Sequence, residues 1–532
     1  MQGVKTILPK ALYQLHLDEL VPKENFYRRL NAALDLRFLY KQTKPYYGTE
    51  GQQSIDPVVF FKIILIGYLN NITSDRRLIE YCSNCLDIRL FLQYDLDEQL
   101  PWHSTISRTR QLLGEEVFLS LFRKILSLCV QKGMVRAKRQ ALDSALIKAN
   151  ASLDSLVEKE ILQDAEAYTK ELNQNSEYSI KPDSLTPQDK ASKTVSSGKK
   201  KAVEQHHDWK REAYKDKAGS PNSKQQKQEE HSRPRLLSNH THASPTDPDA
   251  RIAVKPGKAR QMNYYAQITV DEASHVITAS GADFADKRDS ECLPHIMNQN
   301  LENLKEHGLH PEQLLSDTGY SSEQALQYCQ KNGIDAYIPN FGQYEPEREG
   351  LQYNAELDQY ECTRGHKAIL PFRKIITGTR GNEKKQYRSG NNKCKDCPLR
   401  GECIGKGNYK QVEDILHRHL YVAMHQKLKT AKGKRIAKKR GRIVEPVLST
   451  LLNFMNLRRV NARGIKQANK HVMMAALAYN LKKYMRFTSK KAAGMVLALQ
   501  KECFCLTKTC FYGLVNAFYS ALITQPLIPA QK

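Results

Sequence analysis

Apolar positions in the first 135 residues recur at helical spacing, and the breaks between them fit short helices joined by tight turns. Asp56-Pro57 predicts a helix start, with Asp as N-cap and Pro in the first turn. The apolar run behind it, Val58–Leu69, is interrupted by Lys62 and buries Phe60 and Ile64. Ser74 or Asp75 is placed to cap a second helix, DRRLIEYC, and NCLDIRLFLQY reads as a third. Pro101-Trp102-His103-Ser104 breaks the chain before TISRTRQLL, and Glu116–Gln131 follows as a long amphipathic helix. Residues 1–135 therefore predict an all-α domain.

The pattern then changes. Arg139–Ala149 (RQALDSALIKA) lacks caps and reads as a strand with one central carboxylate, within a first core region of 136–152. Residues 153–247 are rich in Lys, Gln, Ser, Asp, Glu and Pro, too poor in apolar side chains to offset chain entropy. Partial helix and much disorder are expected there. Residues 248–339 alternate strands and helices. Tyr264–Val270 and His275–Ser280 pair around Asp271–Ser274, and Ser290–Glu306 is helical. Gln313–Asp317 is a short strand, Ser321 or Ser322 caps a helix ending at Lys331, and Ala336–Pro339 is a further strand. This succession predicts an α/β core with carboxylates at strand ends. A Cys-bearing segment (340–414), a basic stretch with a helical region (415–485) and a tail of unassigned role (486–532) complete the chain.

Charge narrows the partner. Among 532 residues, 82 Lys and Arg face 57 Asp and Glu, a net charge of +25. Each phosphate neutralised by such a surface releases counterions, so a polyanion is favoured, although charge alone does not separate DNA from RNA or a membrane surface. The longest apolar runs are shorter than the ~20 residues that span a bilayer, and no secretory signal follows Met1. Twelve cysteines without a signal suit a reducing compartment, so a soluble cytoplasmic protein with no membrane partner is expected.

Three carboxylates stand out. Asp143 interrupts an apolar strand, and Asp317 directly follows Leu314-Leu315-Ser316. Glu445 lies in RIVEPVLSTLLNFM, where Val444, Val447, Leu448, Leu451 and Met455 form a buried stripe and Glu445 shares a side with Ser449. Pro446 suits that helix if the helix begins close by, at its first turn. Strand-end carboxylates can converge because neighbouring strands lie about 4.8 Å apart. Singly, each reads as well as a turn former or a helix-start acid.

The words LDSALIKANAS (142–152), DPDARIAVKPGK (247–258), NYYAQITVDEASHVI (263–277), LLSDTGYSS (314–322) and VEPVLSTLLNFMNLRRVNARG (444–464) occur in one order. With DPVVFFKIILIGYL near the start and ALAYNLKKYM (476–485), they resemble bacterial insertion-sequence transposases of the DDE class. The resemblance implies an RNase H-like mixed sheet flanked by helices, a helical N-terminal DNA-binding domain and a small Cys-rich insertion. It implies Mg²⁺ (or Mn²⁺) held by Asp143, Asp317 and Glu445, double-stranded DNA as substrate at both transposon ends and target, and a nucleoid-associated homo-oligomer on DNA. Two positions depart from the pattern. Asp143-Ser144-Ala145 stands where relatives carry Asp-Gly-Thr, and Leu452 stands where many carry Lys. Lys148, Arg442 or Arg458 could take that lysine's place on phosphate. The alternatives are a nuclease on the same core without strand transfer, or a non-catalytic zinc-containing nucleic-acid binder.

Two further features bear on partners. Cys394-x-x-Cys397, Cys403 and Cys362 supply four thiols, enough for a structural Zn²⁺, and read equally as reduced thiols. Similar cysteines occur there in the relatives. Lys434, Arg435, Lys438, Lys439, Arg440 and Arg442 form an acid-free basic run into the Glu445 helix, extended by Arg458 and Arg459. In the N-terminal domain, Arg108 and Arg110 lie on a helix that could enter a DNA groove, or that serves as helical core with solvated arginines.

Overall fold

The alternating strand around Asp143 becomes β1 (Arg139–Lys148), the centre of the main sheet in the computed structural model. The structure describes residues 16–159, 238–253, 260–340, 346–377 and 383–489, apart from 49, 51–53, 240 and 366. Most of the polar segment 153–247 and the tail beyond 489 lie outside the described residues. So do the expectations of helix and disorder there.

Among the described residues the main sheet has six strands. These are β1, β2 (Arg251–Ala253), β3 (Gln261–Asp271), β4 (Ile277–Phe284), β5 (Gln313–Leu315) and β6 (Asp335–Tyr337). On one side, β1 pairs antiparallel with β3, which pairs along its far edge with both β2 and β4. On the other side β1 runs parallel to β5, and β5 runs parallel to β6. Parallel strands need a crossover. Helix α1 (Asp289–Lys305) leads from β4 to β5, and α2 (Glu323–Lys331), capped by Ser322, links β5 to β6. The sheet is covered on both faces. Ala141, Ala145 and Ile147 of β1 join the larger core, whereas Leu142 joins a second core with Leu293, Ile296 and Tyr320. This is the period of two that the sequence carried.

The N-terminal helices form where the caps predicted them. Asp56 accepts hydrogen bonds from the backbone N–H of Val58 at 2.7 Å and of Val59 at 3.1 Å, opening Pro57–Leu69. Ser74 caps Asp75–Asn84, and His103–Leu112 and Glu115–Gln131 follow. Helical residues 465–489 bury Val472, Met473 and Leu477 in the same continuous core as these helices and the sheet. Asn480 on this segment binds Ile277 of β4 in both directions, Nδ2 to the carbonyl at 2.7 Å and Oδ1 from the N–H at 2.8 Å. One helix thus ties the sheet to the N-terminal helices.

Residues 351–415 build a second, antiparallel sheet of five strands among the described residues, around Tyr360, Leu370, Tyr387 and Val412. The basic stretch is itself helical: Arg418–Lys429 and Ala431–Ala437 precede α3 (Lys439–Phe454). Pro446 therefore lies about two turns inside α3, not in its first turn as expected. A mid-helix proline costs about 3 kcal/mol. The helix continues because Val444, Val447, Leu448 and Leu451 are buried against the sheet, while Pro446 and Arg442 face outward. Tertiary packing outweighs the local penalty.

Candidate active site

Adjacent residues of β1 leave the sheet on opposite faces. Asp143 lies on the side covered by α3, and Ser144 on the side covered by α1. In the first turn of α3, Arg440 reaches two of the three predicted carboxylates. Its Nη1 donates to Asp143 Oδ2 at 2.7 Å and its Nη2 to Glu445 Oε1 at 3.3 Å. Asp143 is largely buried, its side chain 13% exposed, whereas Glu445 is open to solvent at 62%. Two carboxylates 302 positions apart in the chain thus share one cation.

Asp317 occupies the turn after β5. Its Oδ1 accepts the Gly319 N–H at 2.9 Å and caps the short 3-10 turn Thr318–Tyr320. Tyr320 is fully buried, and its hydroxyl donates to Gln267 Oε1 at 2.5 Å. Burial drives its phenol far above the ordinary range, and negative charge on Asp289, Asp143 and Asp317 pushes the same way. Tyr265 is pushed up to about 12 by burial, then by Asp289, Cys292 and Asp317. Both tyrosines thus sense the charge of Asp289 and Asp317, and Tyr320 that of Asp143 as well.

Asp289 was not a sequence candidate. It opens α1, where an acid is an ordinary complement to the helix dipole, so nothing in the local pattern singled it out. Its Oδ1 accepts a hydrogen bond from Ser144 Oγ at 2.6 Å.

The candidate DNA contacts divide into two groups. Lys148, Arg458 and Arg459 are exposed and gathered, because residues 458–460 bond along the end of β1. The Lys148 N–H donates to the Arg458 carbonyl at 3.0 Å and the Val460 N–H to the Lys148 carbonyl at 2.8 Å. Lys434, Arg435, Lys438 and Arg442 are also exposed, as is Arg108. The others are turned inward. Arg110 is held by both oxygens of Asp75 at 2.7 and 2.9 Å. Lys439 is held by Glu272 at 2.7 Å, and Arg440 by Asp143 and Glu445. The basic run is free of acids only along the chain; its acids arrive from β1, from the turn after β3, and from α3 itself.

Cys362, Cys394, Cys397 and Cys403 all line one pocket beside the second sheet, together with Leu351, Leu370 and Ile404. Cys82 is buried in the N-terminal core, where burial pushes its thiol up to about 12. Among the described residues no three His, Cys, Asp or Glu side chains close tightly enough to hold an ion. The hard oxygen donors Asp143, Asp317 and Glu445 fit Mg²⁺ or Mn²⁺ in chemistry, and the Arg440 guanidinium already lies between two of them as a cation.

Residues 15–112 match a transposase domain family (DUF772), and residues 361–485 match the transposase DDE domain family. Both matches are to transposase families, and together they support an insertion-sequence transposase of the DDE class. The second match takes in Glu445 and the 458–460 segment. The first covers the helices from Leu17–Leu20 through His103–Leu112. No curated protein matches the chain. Among the described residues no helix is long and apolar enough to cross a membrane.

Proposed function

We propose that this transposase cuts DNA at the ends of an insertion sequence and joins the freed 3′ hydroxyl to target DNA, at one site built from Asp143, Asp317 and Glu445. The observation that carries this reading is the Arg440 bridge, which draws Asp143 and Glu445 to a common positive charge. Strand order supports an RNase H-like core: an antiparallel meander runs into β1, and β5 and β6 continue parallel beyond it. Asp143, Asp317 and Glu445 would hold two divalent ions, which when bound supply the charge that activates an attacking oxygen and stabilises the departing one. The chain's own residues do the rest. Lys148, Arg458 and Arg459 present cations beside β1 to position the phosphate backbone, and Arg440 is drawn from carboxylate to phosphate as DNA arrives.

Arg108 and the exposed lysines and arginines of the basic helices extend the DNA surface, and the four cysteines that share a pocket would draw closer together to take one structural Zn²⁺. Two transposon ends need two such sites, which favours a homo-oligomer on DNA. Precut ends carrying a 3′ hydroxyl test the reaction type. Joining to a target plasmid supports a transposase that performs both steps, while cleavage without joining supports the nuclease alternative.

A further inference from the structure

Asp289 has a place in this site that neither the motif words nor the family matches assign. It is the first residue of α1, at the junction where the chain turns from β4 back over the sheet. Its two oxygens face two different parts of the proposed site. Oδ1 takes the Ser144 hydroxyl at 2.6 Å, from the residue next to Asp143 on β1. Oδ2 lies against the turn that holds Asp317: a Cβ added to Gly319 would meet Asp289 Oδ2 at 2.9 Å and Asp317 Oδ1 at 3.1 Å. The turn can come this close to Asp289 because its residue there is glycine.

We infer that Asp289 is a positioning residue, which locks the strand carrying Asp143 to the turn carrying Asp317 and so sets the separation of those two carboxylates. The inference rests on the proposed role of Asp143 and Asp317. It also gives a use to Ser144, one of the two departures from the family words: its hydroxyl is the donor that closes the lock. A carboxylate without this support still ionises, but its rotamer and backbone are free to spread. Ligand geometry that depends on such outer partners typically loses about 10–100-fold in metal affinity when they are removed.

The test is Mn²⁺ titration of the full chain without DNA, read by the electron paramagnetic resonance of free Mn²⁺, with thermal unfolding run alongside. Asp289→Ala is expected to weaken Mn²⁺ binding by about tenfold or more. Ser144→Ala should produce a smaller loss, and the double variant should bind no more weakly than Asp289→Ala alone, because both remove one lock. Asp289→Asn retains an acceptor for Ser144 and should recover most of the affinity. Wild-type Mn²⁺ affinity in a folded Asp289→Ala protein overturns the inference. So does an Asn variant as weak as the Ala variant, since charge rather than positioning would then be at work. Asp143→Ala and Asp317→Ala are the controls. If both bind Mn²⁺ like wild type, the site reading itself falls and this inference with it; if both lose Mn²⁺ and Asp289→Ala does not, only the inference falls.

Discussion

The joint between the N-terminal helices and helical segment 465–489 should loosen in mild acid, through His471. Its side chain is buried, and Nδ1 lies 2.7 Å from the Tyr68 hydroxyl across the joint. Burial lowers its pKa to about 4, the positive charge of Arg110 acts in the same direction, and nearby backbone groups of Asn456 and Leu457 oppose it only in part. The imidazole is therefore neutral in the folded protein at pH values where the unfolded chain, with an ordinary value near 6.5, already takes a proton. Because the folded value is depressed for a base, stability is intact above about pH 6.5 and is lost as pH falls toward 4. The slope is about 1.4 kcal/mol per pH unit, which gives roughly 1.4 kcal/mol by pH 5.5 and on the order of 3 kcal/mol by pH 4. Urea unfolding of wild type and His471→Gln, followed by circular dichroism at pH 7.5, 6.5 and 5.5, isolates this contribution as the difference between their pH profiles. Other titrating groups cancel in that difference. Parallel profiles for the two proteins would refute the reasoning, since His471 would then carry no linkage.

Other outcomes follow from the same geometry. Arg440→Gln should tighten Mn²⁺ binding to the DNA-free protein by about tenfold, because the guanidinium no longer competes for Asp143 and Glu445; unchanged affinity in the titration contradicts that competition. Arg110→Ala strands Asp75 beside the joint and should lower stability by on the order of 3 kcal/mol. Arg108→Ala should instead leave stability nearly intact and weaken DNA binding in a filter or polarisation assay, and the reverse pattern would exchange their roles. Elemental analysis should find one zinc per chain in wild type and a loss of it in Cys394→Ser; wild-type protein free of zinc removes that site.

The fold was legible wherever a local signal and the tertiary packing agree. Asp56 and Ser74 cap the helices they were expected to cap, and the alternation around Asp143 became the central strand. The turn at Asp271–Ser274 pairs β3 with β4. Legibility failed where partners are distant along the chain. Pro446 reads as a helix-start residue until the burial of Val444 and Val447 shows what holds α3 together on both sides of it. Lys439 and Arg440 read as free cations until Glu272, Asp143 and Glu445 are found beside them. Asp289 carried no signal at all, because an acid at a helix start is commonplace and only its approach to Ser144 on one side and to Gly319 on the other gives it a role. The apolar run after 464 hid its partner as well: nothing in its period says that one side packs on β4 and the other on the N-terminal helices.

The proposed triad is tested most directly by cleavage of a duplex carrying the inverted repeat read from DNA flanking the gene, with Mg²⁺ present and end binding measured in parallel. Asp143→Ala, Asp317→Ala and Glu445→Ala should each reduce cleavage to background while leaving binding to the same duplex intact. Full cleavage by any one of the three folded variants would contradict the assignment of that residue, and full cleavage by all three would contradict the site.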